Sequence, residues 1–162
     1  MSASEAGVLL REVARLYTRS QRAAVDCCGT TNTQCHILTE LRDSGAQPMV
    51  DLGQRLCLEK SWISRAVDSL VDERLVAKKA NPADARSWIV SLTAAGKRRA
   101  EQLNETLDAH VRGLLSPLTV EQRAQATQSL QLVLSALRAD AGLDGGRTEP
   151  HQLANHARQS RI

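Results

Sequence analysis

Apolar residues recur at intervals of three and four through most of this chain, give way once to a short stretch of strand-like pattern, and then return. Val8, Leu9, Val13, Leu16 and Tyr17 lie at helical spacing and predict a first helix over residues 5–25, interrupted at Gly29. Thr31 precedes Gln34 by three residues, the arrangement of a capping box, and Ile37, Leu38 and Leu41 then share one face. A second helix is expected there, fading by Ser44 and Gly45. Residues 50–56 read as a short third helix. Residues 61–73, with Ile63, Ala66, Val67 and Leu70 in phase, read as a fourth.

The rhythm changes at residues 75–79 and 87–92, which read as two strands around the turn-forming run Asn81, Pro82, Ala83, Asp84, Ala85 and Arg86. A β-hairpin with a long polar tip is predicted. Thr93 can cap a fifth helix striped by Ala100, Leu103, Leu107, Val111 and Leu114, which Pro117 ends. Thr119 and Gln122 make a second capping box, opening a sixth helix through Leu130, Leu134 and Leu137. Beyond Ala141 the chain turns to Gly, Arg, His, Gln and Asn, a composition that predicts disorder. The fold class expected is mostly α with a small β-hairpin wing, a winged helix-turn-helix. Its organisation is expected as an N-terminal dimerisation helix (5–30), a DNA-binding domain (31–92), C-terminal dimerisation helices (93–140) and a disordered tail (141–162). Apolar stripes on helices at both ends of so small a central unit favour a homodimer, although a single-chain bundle would bury the same stripes.

Residues 50–67 have helix-turn-helix spacing. Gly53 allows the two helices to approach, and Leu52, Leu56, Ile63 and Val67 can form their shared core. Lys60, Ser61, Trp62, Ser64 and Arg65 then lie on the outer side of the second helix, where they can meet base edges or phosphates of double-stranded DNA in the major groove. In the hairpin, Lys78 and Lys79 lie on the approach strand and Arg86 near the tip, from where an arginine can reach the adjacent minor groove. Asp84 is placed to hold Arg86 by a charge-assisted bond. The plain alternatives are a helical hairpin with a solvated outer face and a surface ion pair worth little.

Composition narrows the picture without deciding it. The chain has 162 residues, room for one domain with helix left over for an interface. Two Trp, one Tyr and no Phe leave the core to aliphatic residues, which suits packed helices. A net charge of +3 permits a nucleic-acid partner without requiring one. No segment approaches the roughly 18 consecutive apolar residues of a membrane span, and residues 1–11 lack a basic start before an apolar run. A cytoplasmic protein is expected, with its four cysteines as reduced thiols.

Three of those cysteines, Cys27, Cys28 and Cys35, fall within nine positions, with Gly29 between them and His36 alongside. A helix N-terminus favours the thiolate at Cys35. Three soft thiolates suit As(III) or Sb(III) as a small effector, whereas Zn(II) would want a fourth ligand such as His36. A redox switch between neighbouring thiols and a purely structural role remain open. Cys57 reads as a turn residue, His110 as a satisfied histidine in an apolar stripe, and His151 and His156 as solvated. The outer face carrying Lys97, Arg98, Arg99 and Glu101 reads as solvated helix. No phosphate-binding glycine loop, metalloprotease histidine pair or Ser-His-Asp signature is present, so an enzyme would rest on thiols alone and none is expected.

The run from Lys60 to Leu70, followed by Leu75 and Val76, resembles the recognition helix and following strand of MarR regulators. Asp84-Ala85-Arg86 through Leu92-Thr93, then Gly96, is similar to that family's wing signature, and Thr31, Gln34, Leu38 and Leu41 fit its second helix. The resemblance spans residues 5–138. It implies an obligate homodimer whose terminal regions pair, and recognition helices on a pseudo-palindromic site, with DNA released when an effector engages the region between the lobes. It also implies that Ser61, Trp62, Ser64 and Arg65 read the major groove and Arg86 the minor groove. A ligand-responsive regulator, in the first instance a repressor, is the expectation. A thiol-based redox regulator, a thiol-dependent enzyme using Cys35 and a winged-helix module serving only protein contacts are the alternatives. Two positions depart from the family: Cys57 stands at a tight turn where Gly is usual, and Arg74 where Gly commonly ends the recognition helix. The cysteine triplet does not coincide with the reactive position of the family's peroxide sensors, near the start of the first helix.

Overall fold

The computed structural model describes residues 3–26 and 29–142, and the chain divides after Pro117 into two compact units. Cys27, Cys28 and the expected tail from residue 143 onward lie outside the described residues.

The first unit opens with α1 (Ala3–Asp26), whose C-terminal end is anchored by buried Val25 and Gln21. The capping box forms as expected: Thr31 accepts from the Gln34 N–H, and the Gln34 side chain accepts from the Thr31 N–H. Together they open α2 (Asn32–Ser44), which drives Ile37, Leu38 and Leu41 into the core and ends at Gly45 with φ 77°. A short strand, β1 (Gln47–Pro48), follows. Sequence periodicity misses it because two residues carry no period. Then come α3 (Met49–Arg55), α4 (Lys60–Asp72), β2 (Val76–Asn81), β3 (Asp84–Leu92) and α5 (Ala94–Leu115).

The sheet is antiparallel in the order β1-β3-β2, with Gln47 opposite Val90 on one side and Lys78 opposite Val90 on the other. The hairpin differs from expectation at its tip. The sequence predicts a long loop over residues 81–86, yet the strands run to Asn81 and Asp84 and only Pro82 and Ala83 connect them. The reason is side-chain chemistry. Asn81 Oδ1 accepts from the Ala83 N–H at 3.0 Å, its amide donates to Ser87 Oγ at 2.8 Å, and Asp84 Oδ1 accepts from the Arg86 N–H at 3.0 Å. These short polar side chains satisfy the backbone of a tight turn.

The core is aliphatic, as the shortage of rings required. Leu38, Leu52, Val67, Leu70, Val90 and Leu103 are fully buried, together with Cys35. Of the shared helix-turn-helix core, Leu52, Ile63 and Val67 are buried and Leu56 packs half-buried against them. A Cβ at Gly53 would meet Ile63 and Leu58 at 3.4 Å, ordinary contact, so the approach of α3 and α4 would just admit alanine. Gly96 is different: a Cβ there would sit 1.9 Å from the Leu75 carbonyl oxygen. That oxygen also accepts from the Thr93 N–H at 3.0 Å, and Thr93 Oγ1 in turn takes the Gly96 N–H. The start of α5 is thereby locked over the α4–β2 junction.

The second unit contains α6 (Val120–Asp140), opened by the Thr119–Gln122 capping box. None of its residues is buried, and Leu130, Leu132, Leu134 and Leu137 are exposed. Among the described residues no helix is long and apolar enough to cross a membrane.

Candidate nucleic-acid interface

The first turns of α4 carry Lys60, Ser61, Trp62 and Arg65 at the surface, with Ser64 half-buried behind them. Glu59 precedes the helix without capping it through its side chain, so the first-turn N–H groups have no side-chain acceptor there. Trp62 is 59% exposed, unusual for so large an apolar group. The Arg65 guanidinium lies 4.9 Å from the centre of its ring, while Arg65 Nε donates to the Ser61 carbonyl at 3.1 Å. These two contacts fix an otherwise mobile side chain on the outer face.

The wing supplies a second cation. Arg86 is exposed on β3, just beyond the turn. Asp84 acts on it differently from the expected charge-assisted bond: its carboxylate takes the Arg86 backbone N–H. Among the described residues Lys60, Arg65 and Arg86 form no ion pair. Between α3, the start of α4 and β3 lies a cleft of about 440 Å³ whose lining includes Met49, Cys57, Ile63, Lys60, Arg86 and Trp88.

Lys78 stands apart from the other cations. Its Nζ is 2.6 Å from Asp68 Oδ1 on α4 and 5.2 Å from the centre of the Trp88 ring on β3. Sequence reasoning named Lys78 and overlooked both partners. The available signals were the four-residue steps from Lys60 through Ser64 to Asp68, and the alternation that puts Trp88 in phase with Val90 along β3.

The far end of α4 is tied to α2. Gln34, almost wholly buried, donates from Nε2 to Glu73 Oε1 at 2.6 Å and to Ser69 Oγ at 3.2 Å, while its Oε1 completes the capping box. Cys35 and His36 diverge: the Cys35 side chain is fully buried in the core, whereas His36 lies at the surface. Partial burial of the imidazole lowers its pKa below the ordinary histidine value. His110 is satisfied by Ser20 Oγ at 2.6 Å, joining α5 to α1. Among the described residues no cluster of three His, Cys, Asp or Glu side chains could hold a metal, and two of the three clustered cysteines are not among them.

Two helices crossing at a tight turn, with the second presented beside a three-stranded sheet whose hairpin projects as a wing, define a winged helix-turn-helix protein. The sequence model of the MarR family matches residues 30–88. The HTH-type transcriptional regulator MhqR of Bacillus subtilis (strain 168) is 27% identical over 105 residues, 65% of this chain and 72% of that protein. The HTH-type transcriptional repressor MdtR of the same organism is 27% identical over 112 residues, 69% of this chain and 72% of that one. Among solved structures, apo wild-type MarR from E. coli superposes with a TM-score of 0.72 at 26% identity, covering 79% of this chain and 95% of that one. A mutant MarR from E. coli complexed with operator DNA gives 0.69 at 26% identity, over 79% of this chain and 92% of that one. Over residues 30–88 this chain is similar to the MarR family, and its fold is that of the MarR structures.

Proposed function

We propose that this protein is a transcriptional regulator that binds double-stranded DNA as a homodimer, with α4 in the major groove and the β2–β3 wing over the adjacent minor groove. The observation that carries the reading is the set of cations without ion-pair partners among the described residues, on one recognition surface: Lys60 and Arg65 on α4 and Arg86 on the wing. An uncapped helix N-terminus adds a further attraction for phosphate. E. coli MarR, which shares the fold, has been seen with operator DNA. In this reading Ser61, Trp62, Ser64 and Arg65 face base edges and Arg86 enters the minor groove. Two-fold pairing would put half-sites about one helical turn apart.

Homodimerisation is supported by the apolar stripe of Leu9, Val13 and Leu16 on α1, all exposed, and by the exposed leucines of α6. The effector is proposed to be a thiophilic metalloid, As(III) or Sb(III), held by Cys27, Cys28 and Cys35, with repression relieved on binding. The burial of Cys35 means that a metalloid reaching it must open the first turn of α2.

The reading is tested by titrating the reduced protein onto DNA from upstream of its own gene at fixed salt, with and without arsenite. Arg86→Ala is expected to weaken binding by about 1–3 kcal/mol per dimer, and unchanged affinity would remove the wing from the interface. Release by arsenite that Cys28→Ser or Cys35→Ser abolishes supports the metalloid. Indifference to arsenite, with release by hydrogen peroxide, supports the thiol switch instead.

A further inference from the structure

Lys78 sits on the inner face of the wing. It lies directly opposite Val90, whose side chain is fully buried, while Trp88 occupies the neighbouring in-phase position opposite Ala80. Directly opposed residues of an antiparallel pair share a face. The lysine stem therefore runs along the side of the hairpin that packs on α4, and its side chain is only 22% exposed. Lys79, one residue on, takes the opposite face and is exposed. The ammonium emerges between two elements, 2.6 Å from Asp68 of α4 and 5.2 Å from the Trp88 ring of β3.

We propose that Lys78 is a positioning residue: it braces the wing against the recognition helix through Asp68 and Trp88, and does not neutralise a DNA phosphate. The proposal rests on reading α4 and the wing as the DNA-binding elements. A recognition helix and a wing must meet two grooves at once, so their relative angle governs affinity. Asp68 bears on this directly. A carboxylate on the recognition helix would repel phosphates, so simple electrostatics predicts that removing it tightens binding. If it is half of a brace, removing it loosens the wing and weakens binding. The two roles of Lys78 also differ in salt dependence. Deleting a cation that neutralises one phosphate makes the slope of log K against log salt shallower by about 0.9. A positioning residue changes affinity and leaves the slope alone.

The test uses the full chain and a duplex carrying the DNA upstream of its own gene, titrated at several salt concentrations with wild type, Lys78→Met, Lys78→Arg and Asp68→Asn. Lys78→Met and Asp68→Asn are each expected to weaken binding about five- to tenfold at an unchanged slope. Lys78→Arg, which keeps a cation for both partners, is expected to restore binding. A slope shallower by about 0.9 per protomer in Lys78→Met, or Asp68→Asn binding as tightly as wild type or tighter, overturns the proposal. Amide exchange across residues 76–92 in the DNA-free protein separates this from the broader reading. Faster exchange in Lys78→Met and Asp68→Asn supports the brace even if no duplex binds, in which case only the DNA-binding assignment fails. Unchanged exchange overturns the brace.

Discussion

Cys57 and Arg74 hold the left-handed backbone that closes α3 and α4, at φ 52° and 58°. The hydrogen bonds around them match. Leu58 N–H reaches the Gly53 carbonyl at 2.9 Å and Cys57 N–H the Gln54 carbonyl at 3.1 Å; Leu75 N–H reaches Leu70 and Arg74 N–H reaches Val71, both at 2.9 Å. Each helix of the helix-turn-helix thus ends in a Schellman motif, with a side chain at the position glycine favours. Buried Leu70 and Leu75 clasp the second turn and half-buried Leu58 anchors the first, so both turns form with side chains where the sequence pattern favours glycine. The cost is local strain, about 1 kcal/mol for a non-glycine residue in this region. Arg74→Gly and Cys57→Gly should therefore each raise stability by about 0.5–1 kcal/mol, less what the freer unfolded chain takes back. Urea denaturation checks this. A lower midpoint in either variant would mean that the side chain contributes more than its backbone loses.

Among the elements, α4 is held from two directions: the wing meets it at Asp68, and α2 at Ser69 and Glu73. Gln34 makes the second tie while also closing the capping box, so one buried amide joins the N-terminus of α2 to the C-terminus of the recognition helix. Sequence reasoning recognised the capping role from the three-residue spacing. The bond to Glu73 spans 39 positions and has no local signature. Gln34→Leu is expected to cost about 1–3 kcal/mol in urea denaturation, since the Thr31 N–H loses its acceptor and Glu73 keeps only the Ser69 hydroxyl. Gln34→Glu keeps the acceptor for Thr31 but sets a carboxylate against Glu73. Mutual repulsion raises the folded-state pKa of that pair, so the variant's deficit should shrink as pH falls into the carboxylate range and grow above it. A deficit independent of pH would argue that the two side chains part. The strand β1 and the short wing tip share the same lesson: pairing to β3 and turn side chains made them, and neither leaves a period to read.

For the whole molecule, the exposed stripe on α1 is the largest unexplained feature of the first unit. Leu9, Val13 and Leu16 are each about half exposed on the same helical face, next to half-exposed Tyr17. In the proposed homodimer a second copy would cover that stripe. Leu16→Glu is then expected to weaken dimerisation by about 2 kcal/mol or more per protomer, through reduced apolar burial and a desolvated charge. Sedimentation velocity would show the dimer dissociating at concentrations where wild type stays paired. An unchanged sedimentation coefficient would place the interface elsewhere. Charge behaves likewise at this scale: a net +3 is modest, and only the gathering of Lys60, Arg65 and Arg86 on the recognition surface makes it directional.

Periodicity, caps and turn chemistry determined the six helices, the hairpin and the winged-helix class, because each depends on residues within a few positions of one another. Thr31 and Gln34, Thr119 and Gln122, and the turn residues from Asn81 to Asp84 act where they stand in the chain. The exposed faces of α4 and the wing were legible for the same reason. Tertiary structure alone decided which of the named cations have ion-pair partners. It placed Lys78 between Asp68 and Trp88, turned Asp84 to the backbone of Arg86, and put Leu75 against Gly96. The physical reason is that a charge or a carbonyl oxygen is satisfied by whatever folding brings within about 3 Å, and those partners come from distant positions in the chain.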